Sequence, residues 1–238
     1  MRKLTTPFVL VLSILSGAAN ADALGLFVGG GVWDYDSSGT FGSTGAGDSV
    51  IDVESDLGFS GSQDGYVWAA FEHFIPLIPN IRIEAASIAD KGVANGLVFN
   101  GTPVSGTASV SLDNVDAILY YRLLDNWVNF DFGLNIRNLS GDFKMATETV
   151  SISETIPMLY LSAQFDMPFT GLSLGGDINI VNYSGSKYQD VRLRALYEFG
   201  VIGLEAGYKT TTVELDDISN INSKLEFKGL IVGAFLHF

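Results

Sequence analysis

The chain has 238 residues, 47% of them hydrophobic, and carries 27 acidic against 13 basic side chains, for a formal charge of −14. That acidity leaves no basic stripe for a phosphate backbone and argues against nucleic acid as a partner. The lack of cysteine excludes a disulfide framework, so stability must come from burial and backbone pairing.

Arg2 and Lys3 precede an apolar run over 8–15, and Ala19-Asn20-Ala21 follows as a small-x-small cleavage pattern. This reads as a secretory signal peptide, because the run is too short to span a bilayer. Residues 1–21 are expected to be removed, leaving one domain over 22–238 whose formal charge becomes −16 once both bases depart.

Past that leader, no stretch approaches the ~18 apolar residues of a membrane helix. Apolar residues instead alternate in short segments separated by Gly, Asn, Asp and Ser. Period-two alternation predicts strands at about 24–34, 65–74, 81–89, 108–123, 127–138, 152–166, 171–183, 188–198, 202–214 and 223–238. Within them the charges keep to one face. Val128, Phe130, Phe132, Leu134 and Ile136 oppose Asn129, Asp131, Asn135 and Arg137, and Leu204, Ala206 and Tyr208 oppose Glu205 and Lys209.

A soluble barrel or sandwich also alternates, with the charged face toward water. The leader is compatible with both, but an apolar C-terminus ending in Phe238 and aromatic residues at strand ends favour a membrane barrel. Trp127, Phe74, Tyr197, Phe199, Phe165, Phe169 and Phe238 gather beside the short connections, as a headgroup-level girdle does. The expected fold is all-β, a transmembrane antiparallel up-and-down barrel of about ten strands. Short connections at 75–80, 124–126, 167–170 and 199–201 alternate with longer ones at 35–64, 90–107, 139–151, 184–187 and 215–222. Short turns belong on the periplasmic side, so both termini are expected there.

Inward positions would carry Glu72, Arg82, Glu84, Asp116, Arg122, Asp131, Arg137, Asp166, Asp177, Arg192, Arg194, Glu198, Glu205 and Lys209. Near balance of sign in a narrow lumen suggests a plug of mutual ion pairs rather than a selective ring. A narrow channel for ions or small or hydrophobic solutes is the other reading. Phe27, Trp33, Ile231 and Phe235 make an apolar inner wall on the first and last strands, fit either for a solute or for packing on one another. The glycines at 29, 30, 31, 229 and 233 crowd the same two strands and permit close packing there.

Catalysis has little to work with. The two histidines, His73 and His237, lie near the periplasmic ends of their strands, so no enzyme and no cofactor are expected. The acidic stretch around Asp52-x-Glu54-x-Asp56 departs from a calcium loop, since Gly58 falls one place late and Gln63 stands where a Glu belongs. Looser divalent bridging to lipopolysaccharide, a plain solvated loop, and a strand extension with Val50, Ile51, Val53 and Leu57 on one face all remain open.

The opening Asp22-Ala-Leu-Gly-Leu-Phe-Val-Gly-Gly-Gly-Val-Trp33 and the closing Gly233-x-x-Leu236-x-Phe238 resemble small Gram-negative outer-membrane β-barrel proteins. The opening in particular is similar to an outer-membrane barrel family with no assigned function. The closing pattern looks like the signal read by the barrel-assembly machinery, although Ile231 stands where that pattern has a polar residue. The resemblance implies an outer-membrane location and an assembly route through periplasmic chaperones, with membrane lipid and lipopolysaccharide as surroundings. It carries no catalytic site.

Overall fold

Ten long strands follow one another as antiparallel neighbours, and the last pairs with the first, so the sheet has no free end. The computed structural model describes residues 24–238 except 46, 76, 219 and 220, and the leader expected at 1–21 lies outside the described residues. The strands are β1 (Leu24–Ser43), β3 (Ser62–His73), β4 (Asn80–Phe99), β5 (Thr102–Asp125), β6 (Val128–Met145), β7 (Glu148–Met167), β8 (Leu172–Tyr183), β9 (Ser186–Phe199), β10 (Ile202–Ile218) and β11 (Ile221–His237). A two-residue strand, β2 (Ile51–Asp52), lies in the first connection and pairs with β1. Closure runs from Phe27↔His237 to Ser43↔Ile221, and the backbones of Leu26 and Phe238 exchange two hydrogen bonds of 2.9 Å beyond it. Phe238 is thus the end of a paired strand and not a tail.

The faces fall as the alternation predicts. Leu134, Leu193, Leu204 and Leu230 are more than half exposed, while Asp116, Arg137, Asp177 and Glu205 are buried. A water-soluble barrel has the reverse arrangement. The apolar outer row occupies about nine residues of each strand, as in 128–136, 191–199 and 230–238, at the short end of what a tilted membrane strand needs. At the near end, where the termini lie, Trp127, Phe74, Phe169 and Phe199 stand fully out beside the turns.

Most strands run well past that belt, and this corrects the expected boundaries. Much of 35–64, 90–107 and 139–151 is strand rather than loop. The far-end hairpins are tight. Asn100-Gly101 and Ser184-Gly185 hold positive φ at both central residues, the twist that a two-residue hairpin requires. In this far half both faces change sign. On β6, Asn138, Ser140, Asp142 and Lys144 look outward, whereas Leu139, Phe143 and Met145 are buried inside. The far half is therefore built like a soluble barrel, with a dry core and a wet surface.

The remaining long connection, between β1 and β3, helps to fill that core. Ile51, Val53, Leu57 and Phe59 are buried, whereas Val50 is exposed. Phe41 meets Phe143 across the barrel at 5.2 Å between ring centroids and Phe99 at 5.8 Å. Asp52 accepts from the amides of Glu54 and Ser55 at 3.0 and 2.9 Å, and Asp56 accepts from the Asp52 amide at 2.9 Å. These acids cap a turn.

The connection also patches a split in the sheet. β3 and β4 pair only from Tyr66↔Ala86 to Phe71↔Ile81 and then part. Above the split, Val93 donates to the Leu57 carbonyl at 2.8 Å, and Ser49 donates to Val98 at 2.9 Å. Ala89 donates to the Tyr35 hydroxyl at 2.8 Å, and that hydroxyl donates to Asp64 at 2.5 Å. Side chains and loop thus satisfy a strand edge that would otherwise be unpaired.

Candidate functional site: the barrel lumen

Inward charges are carried at alternate positions by the eight strands from β3 to β10, so the narrow lumen forces them into contact. They form three groups. Nearest the termini, Arg122 on β5 donates through both terminal nitrogens to Glu72 on β3 at 2.9 and 2.7 Å and through Nε to Asp131 on β6 at 3.0 Å. The Tyr120 hydroxyl adds a bond to Glu72 at 2.7 Å. Beside this group, Asp166 accepts from Asn129 at 2.6 Å and Gln164 at 2.8 Å, and Glu198 meets His237 Nδ1 at 3.1 Å.

The middle group crosses the barrel. Arg192 on β9 grips Asp177 on neighbouring β8 at 3.1 and 3.2 Å and reaches Glu84 on distant β4 at 3.1 and 3.3 Å. Arg82 donates to the same Glu84 at 2.8 Å while lying 4.1 Å over the Trp68 ring. Arg194 is held more loosely, 3.5 Å from Asp177 and 3.6 Å from Glu205. Glu205 also accepts from the Tyr66 hydroxyl at 2.5 Å.

The third group lies just below the apolar far half. Arg137 on β6 binds Asp116 on β5 fork to fork at 2.7 and 2.6 Å and reaches Asp190 on β9 at 2.5 Å. Asn135 ties Asp116 to Asn179 at 3.0 and 3.1 Å, and Thr211 donates to Asp190 at 2.5 Å.

The inward charges named from the sequence, from Glu72 to Lys209, are thus distributed as follows. Among the described residues eleven form ion pairs in these groups and Glu198 meets His237; Asp166, the fourteenth, is held by Asn129 and Gln164, and Lys209 makes no ion pair, its ammonium lying 4.5 Å over the Trp33 ring. Asp190 is missing from that set, although it shares the parity of Arg192 and belongs to the same face. The uncharged Asn135, Asn179, Tyr66 and Thr211 carried no charge signal, yet their hydrogen bonds extend the middle and third groups. The apolar wall packs on other rings of the lumen: Trp33 lies against Tyr35 at 4.6 Å, Phe235 against Trp68 at 5.7 Å, and Phe27 stacks on His237 at 3.9 Å.

Glycine at the seam has a steric cause. A Cβ on Gly29 would come within 2.7 Å of Phe235 Cβ and 2.8 Å of the Trp68 ring. One on Gly233 would meet the Tyr66 hydroxyl at 2.6 Å and a Glu205 oxygen at 3.0 Å. Close approach of large inward side chains to the strand backbone requires the missing methyl.

At the near end a cavity of about 820 Å³ enters the barrel and ends against Arg82, Tyr160 and Arg194. Glu72, Arg122, Asp131, Asp166 and both histidines line it. His73 Nδ1 accepts from the Ile75 amide at 3.2 Å and its Nε2 faces the Pro79 carbonyl at 3.3 Å, so its ring is engaged by its own turn.

No protein-family model and no curated protein matches the sequence. Among solved structures, the chain is similar to the outer membrane protease OmpT from Escherichia coli, with a TM-score of 0.54 and 10% identity, over 91% of this chain and 96% of that one. Ail, the attachment invasion locus protein of Yersinia pestis, aligns with a TM-score of 0.42 at 10% identity over 91% and 99% of the two chains. OprG from Pseudomonas aeruginosa gives a TM-score of 0.38 at 10% identity over 91% and 96%. At such identity the likeness to OmpT is one of fold. The chain is a closed ten-stranded β-barrel of the small outer-membrane type.

Proposed function

We propose that the protein is an integral bacterial outer-membrane barrel whose lumen is shut by its own side chains, and that it acts as a structural or surface-interaction element rather than a pore. The reading rests on contacts that cross the lumen. Arg192 bridges β9 to Glu84 on β4, Arg137 bridges β6 to Asp190 on β9, and Phe41 meets Phe143 above them. In this reading the ionic layers below and the dry core above close the lumen to water.

The belt adjoins the termini and the strands extend beyond its other edge, which supports termini in the periplasm and a far half standing outside the cell. In this reading residues 1–21 are cleaved as a signal peptide, and the mature chain begins at Asp22. Gly233 and Leu236 lie on β11 and Phe238 directly follows it, with Leu236 and Phe238 facing outward for the assembly machinery after delivery by chaperones. The polar far half would stand among lipopolysaccharide. The test is planar-bilayer recording on the refolded mature chain. Conductance at baseline is expected, and steady open-channel steps would reject a shut lumen.

A narrow channel is the second reading, favoured by the cavity that already enters the barrel as far as Arg194. In that case Arg194→Ala raises conductance, whereas a shut lumen leaves it at baseline.

A further inference from the structure

The cavity that enters the barrel at the near end opens beside the turns and closes at depth. Exposure falls along it, from 36 and 34% for the His237 and Glu198 side chains to 25% for Arg122, 10% for Arg194 and 7% for Arg82. Its volume of about 820 Å³ is that of a small-ligand pocket.

The two ends differ in sign. Arg82 and Arg194 line the floor, whereas their carboxylate partners Glu84, Asp177 and Glu205 form no part of the wall. Arg194 is also held more loosely than Arg192: its nearest carboxylate lies at 3.5 Å, and its buried Nε has no hydrogen-bond partner among the described residues. The Tyr160 hydroxyl on the same floor makes no hydrogen bond to a described residue. Toward the mouth the balance reverses, with Glu72, Asp131, Asp166 and Glu198 set against Arg122. Asp166 is met there by side-chain amides rather than by a cation.

β9 shows this order on one strand. Its inward positions run from Arg194 at the floor through buried Leu196 to Glu198 at the mouth, and Phe27 and Phe235 add to the apolar middle. Four residues at about 3.4 Å each, on a strand inclined by about 40°, separate the two charges by roughly 10 Å along the barrel. About three residues of extended peptide span the same distance. A small inorganic ion would meet one end and leave the apolar wall bare.

We infer that this cavity is a pocket for a short apolar peptide with free termini. The peptide carboxylate accepts from Arg194 and Tyr160, its ammonium donates to Glu198, and its side chains lie on Leu196, Phe27 and Phe235. The floor belongs to the plug proposed above, and a periplasmic source for the peptide rests on the orientation proposed there. Binding to the solubilised barrel depends on neither. Absent binding with conductance at baseline rejects the pocket alone, and open-channel steps with binding intact reject the shut lumen alone.

The experiment uses the full mature chain refolded in octyl glucoside, with folding checked by heat-modifiable gel mobility. Trileucine is titrated calorimetrically, beside its N-acetylated form, its C-amidated form and triglycine, with the heat from empty micelles subtracted. Trileucine is expected to bind once per chain, and each of the other three at least tenfold more weakly. Arg194→Met should weaken trileucine at least tenfold and leave the amidated form unchanged, whereas Arg194→Lys should keep most of the binding. Glu198→Gln should weaken the free amine but not the acetylated one. No binding up to millimolar trileucine overturns the pocket. Equal affinity of the amidated form overturns the floor as a carboxylate site, and equal affinity of the acetylated form overturns the mouth as an ammonium site. These comparisons use the unaltered chain, so they decide the question even where a variant does not fold.

Discussion

Arg137 and Asp116 face each other as two forks, with 2.7 and 2.6 Å between paired nitrogen and oxygen atoms and neither group open to solvent. Because Asp190 shares the same guanidinium, removing the arginine takes the ion-pair partner from two buried carboxylates, whereas removing Asp116 leaves the cation one partner. Breaking a buried pair costs about 3–5 kcal/mol. Arg137→Met should therefore lower the urea midpoint in lipid vesicles more than Asp116→Asn, by an amount in that range. Equal midpoints would show that Asp190 contributes nothing.

The belt border can be located by one charge at two heights on β6. Leu134 and Ser140 both look outward, but Leu134 lies inside the apolar row and Ser140 beyond it. Leu134→Arg should destabilise the folded barrel by about 2–4 kcal/mol and Ser140→Arg by about zero to one. The comparison needs vesicles rather than micelles, because detergent does not fix a midplane.

Close packing at the closing seam predicts an unusual result for the smallest possible change. Gly29→Ala drives a methyl between Phe235 and Trp68, an overpacking that costs about 1–3 kcal/mol. Gly65→Ala on the neighbouring strand meets no close neighbour and should leave the midpoint unmoved. A neutral Gly29→Ala would mean that these rings shift aside freely.

The first connection is tied to the β4–β5 tip by Asp48. Its carboxylate accepts from the Ser43 hydroxyl and, at 2.8 Å, from the Gly101 amide, and these bonds hold its pKa below the ordinary value of 3.8. A depressed pKa means that docking is favoured above the unfolded value and lost as pH falls through the folded one. Protection of the Gly101 amide from hydrogen exchange, corrected for intrinsic rate, should hold steady from neutral pH down to about pH 5 and fall below the ordinary aspartate range. Asp48→Ala should show the low protection at every pH.

Which side each residue faces was legible in the sequence because lipid and lumen impose opposite demands on alternate positions. The belt strands carry that pattern cleanly, so Leu134 and Arg137 fall where expected. Strand length was not legible for the same reason. Where the belt ends, outward residues become polar and inward ones apolar, so Asn138 and Leu139 continue the alternation with its sign reversed. A reading keyed to charge on one fixed face stops at that border and takes the remainder for loop. Asn100-Gly101 was a turn signal within the supposed long loop at 90–107, hidden by the small and polar residues around it. The cross-lumen links were the least legible. Alternation says that Glu84 and Arg192 both point inward, but which inward residues meet depends on the diameter and on the stagger around the closed sheet.

The reversal of both faces at a common height also gives this molecule a waterline. Sliding outward would bare oily residues to solvent, and sinking would press polar ones among the acyl chains, so the position along the bilayer normal is held from either direction. Nine residues at about 3.4 Å each, inclined by about 45°, amount to roughly 21 Å, a shallow draught against the ~25 Å hydrocarbon band of such barrels. The surrounding lipid, being the softer partner, must pinch to meet it.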